Sequence, residues 1–180
     1  MPETFAETLR GWNNFYFMLG GAAATLIGLL FVAASLGATL VSTDTQGAIN
    51  TFVTPILFYF LSVLGIASLM LVPTDSPALV AGVLLCVGLY GLRRIVVILR
   101  SMMLLARAQP LNHGHWKWHA TIPGLSYVAI AGTGVWLLLT PAASLDGLAL
   151  ATVFLLLSGI WRTWDLALWI ARQQGSTESS

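Results

Sequence analysis

The sequence predicts an all-α protein, a polytopic transmembrane helical bundle of five spans. Two observations carry this: five apolar segments approach bilayer length, and nearly every charge and proline is pushed into or beside the short loops between them. Composition agrees, because 57% of residues are hydrophobic, only 8% are charged and the mean hydropathy is +0.84. A soluble surface needs roughly a quarter charged residues, so the bilayer is the expected solvent. The segments show no alternation with period two, which disfavours an outer-membrane barrel.

Segment one is expected over 15–40 and is followed by the polar stretch 42–50. Segment two covers 54–72, with Thr54 as cap and Pro55 at the first helical position, where a missing N–H is tolerated. Ser76 and Pro77 repeat the device for segment three, which covers 77–99 and extends, with interruptions, to 108. Segment four covers 122–140, with Pro123 in its first turn and Pro141 past its end. Segment five covers 145–170 and continues to about Arg172. Together the segments form a single helical domain over 1–172, and the Ser-rich stretch 173–180 reads as a disordered tail. All 7 prolines fall at or near segment ends or outside them, as expected where water cannot satisfy a carbonyl freed inside a span.

Five spans of about 20 residues use more than half of the 180 residues and leave no room for a separate soluble catalytic domain. The net charge of +1 argues against nucleic acid, whose binding requires several phosphates to be neutralised together. The single cysteine, Cys86, excludes an intrachain disulfide and is expected to be a small buried hydrophobe. The N-terminal stretch lacks a basic signal region, so segment one is expected to be retained. Arg100, Arg107 and Lys117 lie between segments three and four, with Arg93 and Arg94 just before. By the positive-inside rule this places that loop and the C-terminus in the cytoplasm and the N-terminus outside.

Arg93, Arg94, Arg162 and Asp165 approach the apolar core and, with His119, form a candidate cytoplasmic-side polar cluster. Arg93 lies 16 residues beyond Pro77, and Arg162 lies 16 beyond Asp146. At about 1.5 Å per residue both are roughly 24 Å deep, near the inner edge of a core about 30 Å thick. Asp165 is then at the depth of Arg93 and Arg94 and is a candidate partner for either; the plainer reading is snorkelling arginines with Asp165 held by Arg162.

Arg93, Arg100 and Arg107 recur every seven residues, a basic stripe suited to anionic inner-leaflet lipid. Trp116, Lys117 and Trp118 read as an interfacial anchor. His113, His115 and His119 invite a metal, but no carboxylate or cysteine nearby in sequence completes a tetrahedral site, and no metal or cofactor is expected.

In segment one, Gly20, Ala24 and Gly28 are spaced by four, and Gly21, Gly28 and Ser35 by seven, spacings that let helix backbones approach closely. Whether that face meets another segment or a second subunit is left open. No phosphate loop, activated nucleophile or HExxH motif is present, and no inverted repeat marks a transporter.

The stretches WNNFYFMLGGAAATLIGLLFVAASL, FVTPILFYF, HWKWHATIPGLSYVA and GIWRTWDLALWI resemble, in order, blocks of an uncharacterised family of small bacterial polytopic membrane proteins. The likeness covers most of the chain. In that family a tryptophan-histidine step precedes segment four and a Trp-Asp pair lies in the last segment; here these match Trp118 with His119, and Trp164 with Asp165. The resemblance implies a bacterial inner-membrane location and no established activity. Segment one alone is also similar to modulators of a membrane-bound protease.

Three readings follow. The leading one is a non-catalytic helical module acting through itself, lipid or another membrane protein. The alternatives are an oligomeric channel or transporter lined by Thr25, Ser35, Ser62, Ser68, Ser126 and Thr133, and an enzyme or ligand-binding protein that brings His119, Arg94 and Asp165 into one cytoplasmic pocket.

Overall fold

A computed structural model describes residues 5–40, 46–74, 76–106, 116–140 and 145–177, with side chains described except at 36–40, 46–52, 98, 101–106, 116–120, 165–166 and 169–177. The described residues form five α-helices: α1 (Phe5–Leu40), α2 (Gln46–Leu71), α3 (Pro77–Ala106), α4 (Trp116–Leu139) and α5 (Asp146–Thr177). Each is long and apolar enough to cross a membrane.

Local chemistry sets several of the ends. The Leu79 N–H donates to Ser76 Oγ (3.4 Å), capping α3, and Pro77 takes its first position, where no N–H is needed. Asp146 lies in the first turn of α5, where a carboxylate complements the helix dipole.

Four boundaries differ from the sequence expectation. Helix α1 begins at Phe5, ahead of 15, because Leu9, Tyr16, Leu19, Ala23 and Leu30 form one buried stripe at helical spacing that extends past the apolar run. Pro55 and Pro123 lie inside α2 and α4, which start at Gln46 and Trp116. The carbonyls they free belong to residues 51 and 119, near the helix ends, where water is accessible. Residues 173–177, expected in the tail, continue α5, since no proline interrupts the hydrogen-bond ladder.

The helices pack as two close pairs, α1 with α2 and α3 with α4, and α5 joins them by lying against both α4 and α2. Glycine makes the closest approaches. A Cβ at Gly88 would lie 2.7 Å from the Ala131 backbone nitrogen, one at Gly134 would lie 3.0 Å from the Ala81 carbonyl oxygen, and one at Gly20 would lie 3.1 Å from Ala67 Cβ. Such surfaces hold helices together by van der Waals contact when lipid supplies no hydrophobic drive.

The core comprises residues such as Tyr16, Phe60, Ile66, Met70, Tyr127 and Leu148, whereas Phe17, Phe31, Leu139 and Trp161 face outward, as suits an apolar solvent. Cys86 is exposed, which corrects the expectation that it is buried: α3 is committed to α4 and leaves much of its circumference outward.

Candidate functional site

Four helices bring aromatic rings and two arginines to one level of the bundle. From α2 come the consecutive Phe58 and Tyr59, with Ser62 one turn on; from α3, Tyr90 and Arg94; from α4, Tyr127; from α5, Arg162. Tyr127 wedges against α2, its ring 5.9 Å from Phe58 and 6.3 Å from Tyr59 between centroids. Its hydroxyl lies 3.0 Å from Ser62 Oγ and donates to it, since the one Ser62 hydrogen goes to the Phe58 carbonyl.

This placement depends on Gly91 of α3, where any Cβ would enter the Tyr127 ring. Gly159 of α5 does the same for Phe60. Both are buried, and both convert a missing side chain into a seat for a ring.

The arginines rest on this aromatic floor. The Arg94 guanidinium carbon lies 5.6 Å from the Phe58 centroid, and that of Arg162 lies 5.8 Å from the Tyr59 centroid. Each contact contributes about 0.5–2 kcal/mol, more as water is excluded. Both side chains are half-buried, and Tyr90, one turn before Arg94, packs its ring 5.4 Å from Phe58. The result is two half-buried guanidinium groups, each over the ring of a neighbouring α2 residue.

Of the five residues expected in the polar cluster, Arg94 and Arg162 are half-buried, each over a different ring of α2. Arg93 is exposed, because one residue along α3 is about 100° around it. His119 lies in α4 and Asp165 in α5, but their side chains lie outside the described ones, as do those of Trp116, Lys117 and Trp118. Any pairing of Asp165 is thus not described. Arg100 is exposed; Arg107, His113 and His115 lie outside the described residues. Among the described residues no three of His, Cys, Asp and Glu gather as metal ligands.

Sequence reasoning passed over Phe58, Tyr59, Tyr90 and Tyr127. A signal was available: all 4 tyrosines fall inside spans, where a phenol needs a partner or an edge. At the other end of the bundle Tyr16 is buried, its hydroxyl without a hydrogen bond among the described residues and within electrostatic reach of Asp146.

The small residues of segment one divide. Gly20 turns inward onto Ala67, whereas Gly21, Ala24, Gly28 and Ser35 are exposed. Most of the hydroxyls considered for a pore bond back to their own helices: Thr25 to Gly21 O, Ser35 to Phe31 O, Ser126 to Ile122 O and Thr133 to Ala129 O, at 2.9–3.1 Å. Ser62 does likewise to Phe58 O besides meeting Tyr127. Thr25, Ser35 and Ser68 lie outward, Ser62 and Ser126 inward, so within one subunit they line no common face. No family model matches the chain, and neither do curated proteins or solved structures.

Proposed function

We propose that the chain is a non-catalytic helical module of the bacterial inner membrane that acts by associating with a second membrane helix through α1. The observation that carries this reading is the outward face of α1. Gly21, Thr25, Gly28, Val32 and Ser35 recur at alternating intervals of four and three, and all are exposed. Four of the five are small, and both hydroxyls are already satisfied by their own helix, so a partner backbone approaches without stranding a polar group. Helix α1 is also an edge helix, packed chiefly on α2. The preferred partner is the same face of a second copy, which places identical glycines opposite one another.

The basic residues after α3 support a cytoplasmic C-terminus and an external N-terminus, and the sequence resemblance supports the bacterial location. The dispersal of the hydroxyls favours this module over a pore.

Cross-linking in native membranes tests it. In a Cys86→Ser background, Thr25→Cys is expected to give oxidised dimers, whereas Leu139→Cys, exposed on α4, is expected to give none. Adding Gly28→Leu, at a position open to the outside, should abolish the dimers without unfolding the monomer. Equal cross-linking at 25 and 139 would sink the proposal.

A further inference from the structure

Helices α2 and α3 are consecutive in the chain yet barely touch along their backbones, because α2 is committed to α1 and α5 while α3 is committed to α4. Side chains bridge them at one level, where Phe58 meets both Tyr90 and Arg94. Away from that bridge, Leu61 and Gly65 continue the Phe58 face of α2 at intervals of three and four, and Val87 continues the Tyr90 face of α3. Leu61 is 48% exposed and Tyr90 51%, and a Cβ at Gly65 would meet nothing within 4 Å. The two helices thus border an apolar lateral strip with a half-buried guanidinium at one end.

We propose that this strip is a phospholipid site, in which Arg94 holds the headgroup phosphate and one acyl chain lies along Leu61, Gly65 and Val87. Three observations converge on a lipid. Arg94 lies 17 residues beyond Pro77, about 26 Å along α3. That is the depth at which a guanidinium stem meets the phosphates bordering a core about 30 Å thick.

Next, among the described residues no carboxylate pairs with Arg94; its guanidinium lies over the Phe58 ring face and within electrostatic reach of Tyr127, and face-on stacking turns its N–H edge toward a bidentate anion. Third, the strip beside it is apolar and runs toward the far end of both helices, so the ligand must join a phosphate to a long hydrocarbon. A free phosphate would use the charge and leave the strip unused. The exposed Arg93 next to it adds positive charge at the same depth and favours a headgroup of net negative charge over a zwitterionic one.

The site differs from the α1 face both in location and in occupant. It is also independent of which leaflet the α3 C-terminal end meets.

Native mass spectrometry of the full chain, released from nanodiscs of phosphatidylglycerol or of phosphatidylcholine, reads retained lipid directly. Expected is one phosphatidylglycerol per chain held preferentially, with Arg94→Gln lowering retention roughly fivefold. Gly65→Leu fills the strip without touching the charge or the interior, so it should lower retention while circular dichroism and the thermal midpoint stay those of the parent. Arg93→Gln should lower preference between the two headgroups more than total retention.

Retention unchanged in both Arg94→Gln and Gly65→Leu overturns the site. Inorganic phosphate at millimolar concentration displacing the lipid completely, with Gly65→Leu silent, overturns the acyl-chain half and leaves a bare anion site instead.

Discussion

Ser62 of α2 and Tyr127 of α4 share a hydrogen bond 3.0 Å long, buried between two helices that are 65 residues apart in sequence at this contact. Helices α2 and α4 otherwise meet mainly through the Phe58, Tyr59 and Tyr127 rings, so this bond orients the aromatic floor beneath Arg94. Interhelical hydrogen bonds in lipid average about 0.6 kcal/mol and reach about 1.7. A double-mutant cycle of Ser62→Ala and Tyr127→Phe is therefore expected to give a coupling in that range when unfolding is followed in mixed micelles. A coupling of zero would mean that the two hydroxyls do not meet.

The glycines of α3 and α4 should separate cleanly by what their missing side chains would strike. Gly88→Ala places a methyl 2.7 Å from backbone at Ala131, which only a shift of the whole helix relieves. We expect a loss of about 1–3 kcal/mol from overpacking. Gly132→Ala, with nothing within 4 Å, should be neutral or slightly stabilising through helix propensity. Thermal midpoints of the two variants in one detergent check the contrast, and equal midpoints would contradict the close approach of α3 to α4.

Tyr16→Phe should not destabilise the protein. Among the described residues the buried Tyr16 hydroxyl has no hydrogen-bond partner, so folding strips it of solvation with no compensating bond from them. Its removal is expected to stabilise by up to about 1 kcal/mol, read as a raised midpoint. A loss of stability would reveal a partner for the hydroxyl, bound water included.

Arg162→Lys should cost more than Arg93→Lys. Arg162 is half-buried with its guanidinium over Tyr59, and a lysine lacks the planar group that stacks there. The expected loss is about 1 kcal/mol, whereas Arg93, exposed, should stay within about 0.5 kcal/mol of the parent. Adding Tyr59→Leu should erase the difference, and chemical unfolding of the four variants measures it.

How much of the site could be read beforehand is shown by its members. Arg94 and Arg162 were legible because a charge near an apolar run is rare and its depth follows from the helix rise. Tyr127 and Tyr59 were not, since each is unremarkable within its own segment and acquires a role only when Gly91 admits the ring of Tyr127 to α3. The glycine stripe of α1 was legible as a packing device. Its division was not, with Gly20 turned onto Ala67 and Gly21 and Gly28 turned outward.

The apolar runs, their lengths and the residues between them were sufficient for an all-α chain of five membrane-length helices, because the solvent acts on each helix separately and leaves its mark along the chain. Pairing was decided only in three dimensions. In a medium as apolar as leucine the helices gain little by burying hydrophobes, and what selects α3 for α4, or leaves α2 and α3 apart, is how closely particular backbones approach. That depends on the fit of Gly88 to Ala131 and of Gly159 to Phe60, a relation between distant residues that no local pattern contains.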